Sequence, residues 1–113
     1  MSRGSRITGT PPAAVEDALS LLGRNIRIAR LRRKLRIADL AERIGASRFT
    51  VADVEKGKPS TSAAAYLGAL WALGLLDQIT ELADPDRDEE GKVLERARSP
   101  TGAPRRRSLD NDF

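Results

Sequence analysis

The residues most able to do chemistry lie in one short stretch, LAERIGASRFTVADVEKGKPS, which spans residues 40–60. Two short helical patterns meet there around Gly45, with almost no room for a loop between them. The second pattern exposes a guanidinium, a phenyl ring and a carboxylate, at Arg48, Phe49 and Asp53. Because these groups can donate, pack and accept, the pattern indicates a helix that inserts into a binding partner.

The composition excludes the common kinds of catalytic site. The 113 residues include no cysteine and no histidine, which removes disulfides, thiolate or imidazole metal ligands, and nucleophiles activated by histidine. No paired carboxylates, phosphate loop or other nucleophile and base stand out either. We therefore expect a protein that is not an enzyme and that needs no cofactor and no metal.

The charge is distributed unevenly along the chain. The net charge is +4, but residues 1–36 carry nine basic and two acidic side chains, whereas residues 77–95 carry eight acidic and two basic ones. The basic cluster at 30–36 predicts attraction to a polyanion, and the acidic block would repel one. A solvated helix face is the alternative interpretation of each charged run.

Length and hydropathy indicate one small helical domain. Aromatic residues make up only 4% of the chain, which favours an all-α fold over a β-sandwich. No apolar block follows the arginines at positions 3 and 6, so no secretory signal is expected. The longest apolar run, residues 63–76, is shorter than the roughly 20 residues that span a bilayer. We expect a cytoplasmic, nucleoid-associated protein without a membrane partner.

Helical periodicity identifies the elements that position the exposed residues. Apolar residues recur three or four positions apart, and Gly23 is a candidate break within the first helix. Gly45 is predicted to take a left-handed conformation, and Ser47 to cap the helix that follows. Val51 and Val54 are the two apolar side chains of that helix that are expected to face the core. The predicted helices span residues 15–35, 37–44, 48–56, about 60–74 and 77–82.

The chain divides by composition into three regions. Residues 1–14, with glycine, serine and two prolines, are predicted to be a flexible lead. Residues 15–83 form the helical domain, and residues 84–113 form an acidic and then basic, largely disordered tail. The helix near 60–74 is apolar on nearly every side, which in so small a chain predicts a second subunit that covers it.

The central segment resembles the helix-turn-helix of the lambda-repressor-like, XRE-family DNA-binding proteins over residues 21–82. In that twenty-residue pattern a small residue comes fifth, glycine ninth, and branched apolar residues fifteenth and eighteenth. Counted from Ile37, these positions hold Ala41, Gly45, Val51 and Val54. The resemblance implies a five-helix lambda-repressor-like domain with disordered tails.

By that resemblance, the helix at 48–56 enters the major groove of double-stranded DNA. An arginine there can bond guanine, a phenyl ring can pack on a thymine methyl group, and a carboxylate can accept from cytosine N4. The implied base contacts are Arg48, Phe49, Ala52 and Asp53, and the implied phosphate contacts are Arg36, Ser47, Thr50, Lys56 and Lys58. The alternatives are that Phe49 folds back onto the domain and that Ser47 serves only as a cap.

The same resemblance assigns Arg30 and Glu55 to a largely buried structural ion pair rather than to DNA. The chain also departs from the family pattern. Ile37 stands where glutamine is common, and Asp53 places a negative charge near the groove. These departures leave open whether DNA binding is weakened, or lost in favour of a protein-docking role.

The segment AAAYLGALWALGLLDQITELADPDRDEEGKVLERARSP is similar to antitoxins of the HipB type, which are encoded beside a HipA-like kinase toxin. That similarity implies a homodimer that binds a palindromic operator, represses its own operon and holds the toxin inactive. The implied dimer contacts are Leu70, Trp71, Leu73, Leu75 and Leu76, with filling of the monomer core as the alternative, equally weighted for Leu70 and Leu73. A stand-alone XRE-type repressor, from a phage or a restriction-modification system, is the alternative function.

Overall fold

The computed structural model describes residues 5–98, and all regular elements in this part of the chain are helical. The prediction of an all-α fold is therefore confirmed. The α-helices are α1 (Arg6–Gly9), α2 (Ala13–Arg32), α3 (Ile37–Ile44), α4 (Arg48–Lys56), α5 (Ala63–Ala72) and α6 (Glu89–Arg98), and two 3₁₀ helices span Leu76–Glu81 and Pro85–Arg87. None of the described helices is long and apolar enough to cross a lipid bilayer.

The chain forms two compact units, one up to Gln78 and the other from Ile79 onward. The first unit holds the hydrophobic core, where α2, α3, α4 and α5 pack together. Its fully buried side chains are Ile26, Leu40, Val51 and Val54. These residues occupy the inward positions of the predicted helical patterns, so the apolar periodicity of the sequence correctly located the core.

Helix α2 is unbroken at Gly23, where the sequence suggested a break. The glycine lies in the helix because α4 crosses close to it. A Cβ at this position would lie 2.5 Å from the carbonyl oxygen of Val54 and 2.7 Å from that of Glu55. A side chain would therefore push α4 away, and only glycine lets the two helix backbones approach this closely.

Helix α2 ends at Arg32, three residues before the predicted end. Lys34 takes a left-handed conformation with φ of 57°. The backbone N–H of Leu35 then donates to the carbonyl of Arg30 at 3.2 Å, and that of Lys34 donates to Leu31 at 2.9 Å. This pair of bonds is the Schellman arrangement that closes many helices. No glycine marks the turn in the sequence, which is why the end was placed too late.

The two short helices around Gly45 have the predicted bounds. Gly45 adopts the predicted left-handed conformation, with φ of 69°, which glycine accepts without steric cost. Ser47 caps α4 as expected, since its Oγ accepts the backbone N–H of Thr50 at 3.1 Å. Local sequence signals therefore determine the angle at which α4 leaves the turn.

Helix α5 presents only one side to the core. Ser62 caps its first turn by accepting from the N–H of Ala65 at 3.1 Å. Tyr66, Ala69 and Leu73 are buried in the core of the single chain, as the residues of an inward stripe are. Although the helix is apolar all round, its other side carries the exposed Leu67 and Trp71.

The structure differs from the predicted flexible lead over residues 5–14. Helix α1 forms a single turn there, in which the N–H of Thr10 donates to the carbonyl of Arg6 at 2.7 Å. Helix α2 begins at Ala13, directly after Pro12, two residues earlier than predicted. The fixed backbone angle of proline suits a helix start, a signal that the prediction did not use. Residues 1–4 lie outside the described part.

Residues 84–98, the first half of the tail predicted to be largely disordered, form a short 3₁₀ helix and the helix α6. Helix α6 begins where the Asp88 carboxylate accepts the N–H of Gly91 at 2.9 Å, and Lys92 pairs with Glu89 at 3.3 Å. Composition did not reveal α6, because the same polar residues that lower hydrophobicity also supply local caps. Residues 99–113, the rest of the predicted tail, lie outside the described part.

Candidate nucleic-acid interface

Helix α4 has an inward and an outward face. Its inward face carries Val51 and Val54, which are fully buried against α2 and α3. The side chains three and four residues apart on the opposite side lie in one stripe, because an α-helix repeats every 3.6 residues. This outward stripe consists of Phe49, Ala52, Asp53 and Lys56.

Phe49 is the most exposed large apolar side chain of the described residues, with 78% of its surface accessible. The alternative in which Phe49 folds back onto the domain therefore does not apply. An exposed phenyl ring in the first turn of a helix has no structural role in the single chain, and it suits an apolar contact with a partner such as a thymine methyl group.

The N-terminal end of α4 offers polar groups beside this ring. Arg48 is exposed. The hydroxyl groups of Ser47 and Thr50 lie 3.1 Å apart, and Ser47 also caps the helix. The free N–H groups and the positive end of the helix dipole at this position favour an anion such as phosphate. The structural role of Ser47 is thus present, and a phosphate contact remains compatible with it.

Arg36 already has an acidic neighbour within the chain. The Asp39 carboxylate accepts the backbone N–H of Arg36 at 2.8 Å and its Nε and Nη2 at 3.2 and 3.0 Å. These hydrogen bonds lower the pKa of Asp39 below its usual range and cap the start of α3. A phosphate contact from Arg36 would therefore have to share the guanidinium with Asp39.

Asp53 and Lys58, predicted to contact a base and a phosphate, form an ion pair with each other. Lys58 Nζ lies 3.6 Å from Asp53 Oδ1, and both side chains are partly exposed. Lys56, one turn beyond Asp53 on the outward stripe, is exposed. The negative charge of Asp53 is thus balanced locally, next to the surface that would meet DNA.

The predicted ion pair of Arg30 and Glu55 is present and buried. Arg30 Nε and Nη2 donate to the two Glu55 oxygens at 2.6 and 3.0 Å, and the side chains are 7% and 6% exposed. Arg30 Nη1 also donates to the carbonyl of Leu35 at 2.8 Å. The hydrogen bonds to Glu55 raise the pKa of Arg30 above its usual value. Both residues hold α2 to α4 and are unavailable to DNA.

Tyr66 helps to position the segment that follows α4, a role that the sequence did not reveal. Its phenol O–H donates to the backbone carbonyl of Lys58 at 2.9 Å. Burial, and secondly the negative charge of Asp53, raises the pKa of Tyr66, which keeps this donor protonated. The only signal in the sequence is that the chain's single tyrosine follows Lys56, the last residue of α4, by ten residues, which does not reveal its partner.

The five predicted dimer contacts occupy different environments. Leu73 is buried in the core, so its prediction as an interface residue is replaced by the core-filling alternative. Leu70 and Leu75 are half-buried and pack against the core, and Leu76 is half-buried. Trp71 is 61% exposed. Leu67, one turn before Trp71 on α5, is also exposed and was not predicted.

Comparison with known proteins gives one match. The family model of a helix-turn-helix domain matches residues 21–83, more than half of the chain. No curated protein and no solved structure matches the chain. The matched region includes α3, α4 and α5, together with most of the core of the first unit.

Proposed function

The chain belongs to the helix-turn-helix domain family and is a DNA-binding protein, and from this premise we propose that it is a homodimeric repressor with an antitoxin role. The observation that carries the DNA-binding part is the outward stripe of α4, which begins with the exposed Phe49, together with the exposed Arg48 at the N-terminal end of the helix. No catalytic step is part of this function.

In the proposed complex, α4 lies in the major groove. Arg48 bonds guanine O6 and N7 bidentately, and Phe49 packs against a thymine methyl group. Ser47, Thr50 and the lysines that follow contact phosphate oxygens on either side and fix the register of the helix. Ala52, a small residue on the same stripe, lets the helix approach the base edges closely.

Dimerisation would place two α4 helices in successive major grooves, about 34 Å apart on one face of the duplex. Support for a dimer comes from the exposed Trp71 and Leu67, which lie one turn apart on the uncovered side of α5. Aromatic side chains are enriched at such interfaces. The operator would then be palindromic, in keeping with the two-fold symmetry of the protein.

The dimer can be tested with one substitution. Trp71→Ala should weaken the dimer by at least about 2 kcal/mol, as truncation of a central aromatic anchor does, without unfolding the chain in which this side chain is exposed. Analytical ultracentrifugation measures the dissociation constant. Phe49→Ala, which removes another exposed aromatic ring, is the matched control and should leave the dimer intact. Equal dissociation constants for wild type and Trp71→Ala would refute the interface.

The antitoxin role is supported by the resemblance of the segment from Ala63 onward to HipB-type antitoxins. The second unit adds acidic side chains, because it begins at Ile79 and holds seven of the eight acidic residues of 77–95. This charge suits a basic protein surface rather than DNA. A HipA-like kinase toxin is the proposed partner, and the complex would act at the nucleoid in the cytoplasm.

The deciding experiment is a tagged pull-down of the full chain from its native cell, with bound proteins and crosslinked DNA identified in the same sample. A kinase-like protein together with the promoter of the chain's own operon is the expected result. Promoter DNA without a protein partner would favour the stand-alone XRE-type repressor. A protein partner without DNA would refute the repressor and favour a docking module.

A further inference from the structure

We propose that Asp53 and Lys58 exchange partners on DNA, so that Lys58 moves to a phosphate and the freed Asp53 carboxylate accepts a hydrogen bond from a cytosine N4 amino group. Asp53 would thereby select for cytosine at one position of each half-site. This inference rests on the proposed DNA-binding function and specifies which base one residue of the outward stripe reads.

The ion pair of Asp53 and Lys58 is loose enough to open. The 3.6 Å between Lys58 Nζ and Asp53 Oδ1 exceeds a normal hydrogen-bond distance. The side chains are 51% exposed for Lys58 and 37% exposed for Asp53, so solvent screens the attraction between them. A DNA phosphate group, which carries a full negative charge and lies among further phosphates, can compete for the ammonium.

The backbone of Lys58, in contrast, is fixed. Its N–H donates to the carbonyl of Asp53 at 3.1 Å, and its own carbonyl accepts the Tyr66 hydroxyl at 2.9 Å. Tyr66 is part of the buried core. The four-carbon stem of lysine can therefore swing the ammonium between two acceptors while its Cα stays in place. The two partners of the exchange are held at the same end of α4.

Charge determines which base the freed carboxylate tolerates. Without Lys58, Asp53 would carry an unpaired negative charge close to the phosphates, which is unfavourable unless a donor compensates it. Cytosine presents an amino donor in the major groove, whereas guanine and thymine present acceptors there that repel a carboxylate. Adenine places the N7 acceptor beside its amino group, so cytosine is the best match.

The experiment is a selection of random DNA duplexes by the full chain, followed by affinity measurements on the selected site. Wild type should enrich cytosine at one position of each half-site, and replacing that base pair should weaken binding by about tenfold. Asp53→Ala should lose the preference at that position alone. Asp53→Asn, of the same shape, should shift the preference to adenine, which asparagine bonds bidentately. Circular dichroism verifies that each variant is folded.

The salt dependence of DNA affinity tests whether Lys58 moves to a phosphate. If Lys58 contacts a phosphate in the complex, Lys58→Gln should reduce the slope of log affinity against log salt by about 1 on the selected site. Glu42→Gln, which like Asp53→Asn removes one negative charge, but from an exposed position on α3, is the matched control for the change in net charge of that variant. It should leave both the base preference and the salt slope unchanged.

The outcomes separate the two proposals. Failure of wild type to enrich any sequence would overturn the proposed sequence-specific function and the exchange with it. Enrichment of a site whose bases are the same for wild type and both Asp53 variants would overturn the exchange alone. An unchanged salt slope in Lys58→Gln would also overturn it, since the lysine would then have stayed on Asp53.

Discussion

Two carboxylates of α4 stand only two residues apart, and their surroundings give them opposite roles. Glu55 points inward and forms a buried pair with Arg30, whereas Asp53 points outward and forms a partly exposed pair with Lys58. Both side chains are carboxylates with one negative charge. Burial leaves Glu55 no alternative partner, while exposure leaves Asp53 free to exchange one. The comparison shows that an ion pair's role depends on its environment rather than on its residue types.

The largest effect is expected for the inner pair. Glu55→Ala should lower the free energy of unfolding by about 3–5 kcal/mol, because Arg30 is left buried with its charge uncompensated. Urea denaturation measures this loss. Lys56→Ala, at the neighbouring exposed position, should change stability by no more than about 0.5 kcal/mol. If Glu55→Ala lost as little stability as Lys56→Ala, the inward and outward faces of α4 would not differ in their contribution to stability.

The next effect concerns DNA rather than folding. Arg48→Ala should weaken binding to the operator by about 1–3 kcal/mol, since one bidentate base contact is lost, and should hardly change binding to an unrelated duplex. Fluorescence anisotropy on both duplexes measures the difference. Equal weakening on the two would mean that Arg48 contacts only phosphate. Because the Arg48 side chain is exposed, the substitution should leave the unfolding midpoint unchanged.

A smaller effect is expected at the boundary between the faces. Ser47→Ala should lower stability by about 1 kcal/mol, because α4 loses its cap, and should also weaken DNA binding. Ser62→Ala removes the same kind of cap from α5 and is the matched control. It should reproduce the loss of stability without the loss of affinity. Equal affinities for the two variants would leave Ser47 with a capping role only.

The smallest effect is expected for the outer pair. Asp53→Ala should change the free energy of unfolding by less than about 1 kcal/mol, because an exposed pair is screened by solvent. A double-mutant cycle with Lys58→Ala isolates the interaction between the two side chains. A coupling energy of about 3–5 kcal/mol, as large as the loss expected for Glu55→Ala, would show that Asp53 is structural and that the two ion pairs do not differ in role.

The sequence predicted much of the candidate interface because its signals are local. The bounds of α3 and α4, the turn at Gly45 and the cap at Ser47 all depend on residues within a few positions of one another. The outward position of Phe49 follows from the same periodicity that buries Val51. Chain termini were predicted less well, since caps such as Asp88 occur within polar segments whose composition suggests disorder.

Local signals do not reveal contacts between residues that are distant in the sequence, unless a family resemblance supplies them. Spacing alone does not show that Glu55 meets Arg30, 25 positions earlier, or that the Tyr66 hydroxyl reaches the carbonyl of Lys58. The family pattern supplied the first pair and not the second. The exchange proposed for Asp53 depends on this second contact, and therefore on the folded chain.

By itself, the sequence determined α3, α4, the turn between them and the residues that α4 exposes, because hydrogen bonds and side-chain periodicity within a helix involve only nearby residues. Only the tertiary structure decided which apolar side of α5 is covered. Leu73 lies in the core and Trp71 remains exposed, although both belong to one uniformly apolar stretch. The physical reason is that burial is set by which helix faces meet, and a helix that is apolar all round carries no pattern that selects one.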